Sequence, residues 1–139
     1  MRPYTSLLHF SRSVLLVSAD RQDRPRLQRI LDPAGYRLIN AETCTDALRL
    51  AGRYRPPVLV CDTWLPDGGW KEMLHEIAAM PDAPLLIVIS TQADDRLWSE
   101  VLNLGGYDVL SKPLADEEVL RVIGLACRPS LPPATAYAS

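Results

Sequence analysis

Three side chains far apart in this chain could do chemistry together: Asp62, Ser90 and Lys112. Each closes or follows a short apolar run. Asp62 ends Val58-Leu59-Val60-Cys61, Ser90 ends Leu85-Leu86-Ile87-Val88-Ile89, and Lys112 comes just after Tyr107-Asp108-Val109-Leu110. A carboxylate can accept a phosphoryl group. A hydroxyl and an ammonium beside it could hold the phosphoryl oxygens, which is the positioning and charge neutralisation that such transfer needs. Taken alone, an acid at the end of an apolar run is more often a turn or cap residue. The three together shift the reading toward a site.

The elements that would position them alternate in a regular way. Two further runs, Val14-Leu15-Leu16-Val17 and Tyr36-Arg37-Leu38-Ile39, bring the predicted strands to five. The first, third and fourth runs are continuously apolar, as strands buried on both faces are. The second and fifth alternate, as edge strands do. Helical spacing fills the gaps: Leu27, Ile30, Leu31 and Ala34 before a stop at Gly35; Ala47, Leu48, Leu50 and Ala51 after a Thr43 cap; Met73, Leu74 and Ile77 from Trp70 to Ala79. Two more helices are expected over 94–104, stopping at Gly105-Gly106, and over 116–127. The pattern βαβαβαβαβα with short connections predicts a parallel five-stranded sheet in a doubly wound α/β fold. In such sheets the site lies outside the carboxyl ends of the strands. That directs attention to 18–20, 62–64, 90–91 and 111–113.

The stretch from about Ser13 to Ala126 resembles a response-regulator receiver domain. The resemblance rests on Asp62-x-x-Leu65-Pro66-Asp67-Gly68, Ser90 and Lys112-Pro113 in that order. It implies a flavodoxin-like (βα)5 three-layer sandwich with strand order 2-1-3-4-5. It implies that Asp62 is the phosphoacceptor, served by a sensor histidine kinase or phosphotransfer protein, in two-component phosphorelay signalling rather than in an enzyme. Ser90 would be the switch hydroxyl, Lys112 the phosphate-contacting lysine, and Pro113 a cis-proline. Mg²⁺ would be held by Asp62 and the backbone carbonyl of Trp64, with Asp20 as a further candidate ligand. Helix 4, strand 5 and helix 5 would form a face for a homodimer or an effector.

The chain departs from that pattern twice. The family's adjacent pair of acids after strand 1 falls on Ser18 and Ala19, and the nearest acid is Asp20. Mg²⁺ commonly uses one or two carboxylates plus water, so its binding should be weakened or lost. The family's switch aromatic falls on Val109. Tyr107 lies two residues earlier, on the same strand face by alternation. Two readings follow: a receiver phosphorylated with weakened Mg²⁺ dependence, or a degenerate receiver acting as a phosphorylation-independent interaction module.

Rival functions fit poorly. An aspartate-nucleophile phosphatase needs a second acid two residues after the first, where Trp64 stands. A flavin carrier needs a hydroxyl- and Gly-rich loop after strand 1, where the chain reads Ser18-Ala19-Asp20-Arg21. A net charge of −2 gives no reason to expect nucleic acid or a membrane surface as partner. No apolar stretch approaches the roughly 20 residues of a membrane span. The three cysteines, Cys44, Cys61 and Cys127, lack metal-ligand spacing and suit a reducing, cytoplasmic setting. His9 and His75 have no ligand pattern around them. On the predicted fourth helix Leu97, Val101 and Leu104 would face the core. Trp98 and Leu102 would form a second apolar pair, either a partner face or a cover for the sheet edge. The expected organisation is an N-terminal arm over 1–12, the domain over 13–127 and a C-terminal tail over 128–139. These 139 residues leave no room for a separate output domain, so the domain is expected to act through another molecule or as part of a longer regulator.

Overall fold

Runs of Val, Leu and Ile shed water best when covered on both sides, and three of the five strands are buried over nearly their whole length. The computed structural model describes residues 12–128. Its strands are β1 (Ser13–Val17), β2 (Arg37–Ala41), β3 (Val58–Asp62), β4 (Leu85–Ser90) and β5 (Asp108–Ser111). They form one parallel sheet in the order β2-β1-β3-β4-β5. The edges are β2 and β5, the two runs whose alternation marks them as edge strands. Both begin one residue later than their apolar runs suggest, and β2 continues through Asn40 to Ala41.

Five helices cover the sheet: α1 (Asp23–Leu31), α2 (Cys44–Tyr54), α3 (Trp70–Ala78), α4 (Asp95–Asn103) and α5 (Asp116–Ala126). Residues pointing one way from the strands, such as Val14, Leu16, Val60 and Ile87, pack with Leu27 and Ile30 of α1 and Val119 and Ile123 of α5. Their neighbours pointing the other way, such as Leu15, Leu59 and Val88, pack with Ala47 of α2, Met73 and Ile77 of α3 and Val101 of α4. This is the doubly wound three-layer sandwich expected from the alternation of elements. Among the described residues no helix is long and apolar enough to cross a membrane.

Local signals set the helix ends. Helix α1 tightens into a 3₁₀ turn over Asp32–Ala34 and stops at Gly35, which takes φ +84, a left-handed conformation that only glycine adopts without strain. The Thr43 hydroxyl accepts the Asp46 N–H and caps α2. Asp94 caps α4 in the same way through the Leu97 N–H.

Two expectations need correction. Leu104 does not complete the core face of α4. It is 53% exposed, because the helix ends at Asn103 and the chain turns away through Gly105 at φ +104. Tyr107 does not share a face with Val109: its ring packs with the α1/α5 core, whereas Val109 packs against the α2–α4 core. Strand alternation begins only at Asp108 and cannot be carried back into the preceding turn. Arg12 belongs to the fold rather than to an arm. Its carbonyl accepts the Arg37 N–H, and its guanidinium donates to the Gly35 and Ala34 carbonyls and stacks on Tyr36. The rest of the expected arm, and the tail beyond Arg128, lie outside the described residues.

Leu59 is fully buried at the centre of the sheet. Truncating it removes apolar contacts and leaves a cavity, so Leu59→Ala should cost about 2–5 kcal/mol. A denaturant titration should show a lower midpoint with an unchanged slope.

Candidate functional site

The parallel strands all point their carboxyl ends the same way, so the residues that follow β1, β3 and β5 meet at one edge. Asp62 is the last residue of β3 and its side chain is 17% exposed. One carboxylate oxygen accepts the Thr63 N–H at 2.8 Å. Lys112 follows β5, with its backbone N–H donating to the Ser90 carbonyl at 2.8 Å and a cis bond to Pro113. Its ammonium lies 3.2 Å from Asp62 Oδ1. Two residues 50 positions apart in sequence thus form an ion pair at the mouth of the sheet.

The ammonium faces two further carboxylates. Asp23 Oδ2 is 2.9 Å from Lys112 Nζ, and Asp20 Oδ2 is 3.5 Å away. Burial pulls the Lys112 ammonium toward losing its proton. The hydrogen bond and charge of Asp23, then those of Asp62, outweigh this and hold its pKa above the usual lysine value. Asp20 stays at the rim. It caps the Gln22 N–H at 3.0 Å, and this bond is the main reason its carboxyl lies below the usual range, with Lys112 adding to it.

Asp23 is the residue that sequence reasoning missed. It opens α1, where an acid is ordinarily explained by the helix dipole. Yet it is only 4% exposed and points inward. The Ser18 hydroxyl, at the end of β1, donates to Asp23 Oδ2 at 2.7 Å and lies 3.5 Å from Asp62 Oδ2. Ala19 is exposed and contributes no polar side chain. Ser90 is buried on the neighbouring strand end, with its Oγ accepting the Gln92 N–H at 2.9 Å. A groove of about 310 Å³, lined by Asp20, Asp23, Arg26, Thr91, Lys112 and Pro113, opens onto the ammonium.

The loop after Asp62 is held from two sides. Residues Trp64–Leu65 and Gly68–Gly69 form a small antiparallel hairpin. Asp67 then reaches to the start of α2 and accepts the Cys44 N–H at 2.7 Å and the Thr45 N–H at 3.0 Å. Glu72 of α3 accepts the Gly69 N–H at 2.7 Å. Trp64 is 74% exposed above this hairpin. Trp98 is 48% exposed, and its indole N–H donates to Asp108 on edge strand β5 at 3.3 Å. It therefore lies over the sheet edge while leaving half its surface to solvent. Leu102 is half-buried beside it on α4.

Mg²⁺ takes one or two carboxylates plus water in many protein sites. The pocket offers that chemistry in Asp62, but its three carboxylates already face one ammonium. Among the described residues no three acidic, His or Cys side chains converge so as to hold a metal ion. The residues therefore fit a loosely held cation at Asp62, not a dedicated cage.

A doubly wound sheet with an acid at its central strand end, paired to a lysine from the last strand, defines a receiver-type signalling domain. The chain belongs to the response regulator receiver domain family, whose model matches residues 14–124. It is 31% identical over 115 residues to the transcriptional regulatory protein KdpE of Mycobacterium tuberculosis, covering 83% of this chain and 50% of that one. It is 29% identical to the Regulator of RpoS of Escherichia coli over 84% of this chain and 34% of that one. The chain spans about half the length or less of these curated relatives. Among solved structures it is similar to the beryllofluoride-activated NtrC4 receiver domain dimer, with TM-score 0.76, 28% identity and coverage of 83% and 95%. It also matches the receiver domain of an HD domain-containing protein from Pseudomonas fluorescens Pf-5, with TM-score 0.74, 28% identity and coverage of 83% and 85%. The protein is a receiver domain of two-component signalling, a signalling domain rather than an enzyme.

The Asp67 cap yields a test with a definite sign. The Cys44 and Thr45 N–H groups hold its carboxyl below the usual 3.8, so the cap stabilises the fold above that value and fades as pH falls through the lowered folded pKa. Asp67→Asn should lower Tm by a constant amount near neutral pH. The gap to wild type should close in acid; a gap that persists there would contradict this account of the cap.

Proposed function

We propose that Asp62 accepts a phosphoryl group from the phosphohistidine of a sensor histidine kinase or phosphotransfer protein. The observation that supports this most is the Asp62 carboxylate at the carboxyl end of β3, 3.2 Å from the Lys112 ammonium. A carboxylate oxygen forms the new P–O bond as the P–N bond of the donor breaks, and the imidazole leaves with its electron pair. Lys112 offsets negative charge gathering on the phosphoryl oxygens. The Thr63 N–H holds Oδ1 of Asp62 and so fixes how the acid presents itself. Ser90 would turn its hydroxyl from the Gln92 N–H to a phosphoryl oxygen and so report the event to the β4–α4 loop.

Receiver domains generally bind Mg²⁺ for this step. Asp62 and the Trp64 carbonyl would hold it here, with Asp20 at the rim, and the bound cation would supply further charge neutralisation. With Ser18 and Ala19 in place of acids, the dependence on Mg²⁺ is weak. The same substitutions favour a second reading, in which the domain works as a phosphorylation-independent interaction module. Either way the setting is the cytoplasm, and the output passes to an effector protein. The half-exposed Trp98, with Leu102 beside it, would serve that effector or a second copy of the chain through the α4-β5-α5 face.

Trp64 lies two residues from Asp62 and is exposed, so its fluorescence should respond when Mg²⁺ and beryllofluoride are added together. Asp62→Asn should abolish the response, with Trp64→Phe confirming which ring reports. Silence of the wild type at high Mg²⁺ would favour the interaction module. Light scattering across protein concentrations should show self-association that Trp98→Ala weakens; a monomer throughout would remove the homodimer from this reading.

A further inference from the structure

Strand β1 ends without an acid, yet the pocket beneath it holds one. The Asp23 carboxylate comes from the first turn of α1, is almost fully buried, and touches both Ser18 Oγ at 2.7 Å and Lys112 Nζ at 2.9 Å. A charged carboxylate is not buried for helix capping alone. Exposed positions in the same turn would serve the dipole without a desolvation cost. What repays burial is the ammonium, and the hydroxyl supplies the second polar contact that a buried carboxylate needs. Ser18 is small enough to leave room for this reach. An acid at position 18 would set its own charge against Asp23.

We propose that Asp23 is a positioning residue for the phosphoacceptor site, taking over from α1 the charge that the end of β1 lacks. Its carboxylate anchors the Lys112 ammonium, and that anchor keeps the ammonium 3.2 Å from Asp62 rather than swinging out to solvent. The Ser18 hydroxyl joins the two acids, donating to Asp23 and lying 3.5 Å from Asp62. Arg26, one turn along α1, donates to the Leu114 carbonyl through two nitrogens, at 2.9 and 3.3 Å. It ties the loop that carries Lys112 to the helix that carries Asp23, so anchor and ammonium move as one body. This rests on the reading of Asp62 as phosphoacceptor.

The test separates charge placement from helix structure. Beryllofluoride with Mg²⁺ is titrated against Trp64 fluorescence in wild type, Asp23→Asn, and the exchange Ser18→Asp with Asp23→Ser, each first checked for folding by circular dichroism. Loss of an outer contact of this kind commonly costs about 10- to 100-fold in affinity. Asp23→Asn should raise the half-saturating concentration by that factor. The exchange, which returns the acid to the strand end and the hydroxyl to the helix, should restore it to within a few-fold of wild type. A wild-type response in Asp23→Asn overturns the proposal. So does a folded exchange variant as weak as Asp23→Asn, because the role would then belong to α1 and not to the charge. If Asp23→Asn does not fold, the exchange variant decides alone by keeping or losing the response. A wild type with no Asp62-dependent response defeats the phosphoacceptor reading instead.

Discussion

One ammonium among three carboxylates is the constraint that the rest of this domain serves. Asp20, Asp23 and Asp62 carry three negative charges around the single positive charge of Lys112. Like charges gathered around one cation repel one another, so the frame that carries them has to be rigid. The fixed element is the sheet. Its three inner strands are buried on both faces, so the backbone positions from which Ser18, Asp62 and Ser90 project cannot drift. The backbone of Lys112 is then placed by a bond to Ser90, and its ammonium by the carboxylates around it. The fold spends its most rigid layer on keeping a strained set of charges at short range.

Much of this was legible in the sequence, and the parts that were not share a cause. The five parallel strands and the gathering of Asp62 and Lys112 follow from apolar runs and short connections, which are local signals added up along the chain; the order of the strands came only with the family resemblance. The stops at Gly35 and Thr43 are equally local. Asp23 was hidden because an acid in a first helical turn already has an ordinary explanation, and only its burial sets it apart. Burial depends on what α1 packs against, which no spacing rule reports. The one available signal was indirect: with Ser18 and Ala19 neutral, the site lacked its usual acids, and Asp23 was the next acid after Asp20. Tyr107 and Leu104 were misplaced for the opposite reason. In each case a periodicity was extended past the end of the element that generates it.

The loop after Asp62 shows how this carboxylate is kept apart from the groups that surround it. Asp67 and Glu72 spend their charge on backbone N–H groups at the starts of α2 and α3, not on the Lys112 pocket. Both helix starts are thereby satisfied, and the hairpin between Trp64 and Gly69 is clamped at each end. A loop held this way can carry an exposed tryptophan beside Asp62 without collapsing over it. The same logic covers Trp98, whose bond to Asp108 fixes the ring at the edge of β5 while half its surface stays available.

Position 18 brings these strands of argument together. A carboxylate there would be the third negative group deep in the pocket, and a divalent cation would be needed to make the arrangement tolerable. A hydroxyl there does something a carboxylate cannot, because it donates a hydrogen bond. Ser18 gives its hydrogen to Asp23 and turns one face of a repulsive pair into a hydrogen bond. On the role proposed for Asp23, the carboxylate that the end of β1 lacks is supplied one element along, by a helix whose first turn favours an acid. Receiver sites are usually described by which strand end carries which acid. If Asp23 has the proposed role, the number of carboxylates within reach of the lysine matters more than the element that supplies each of them.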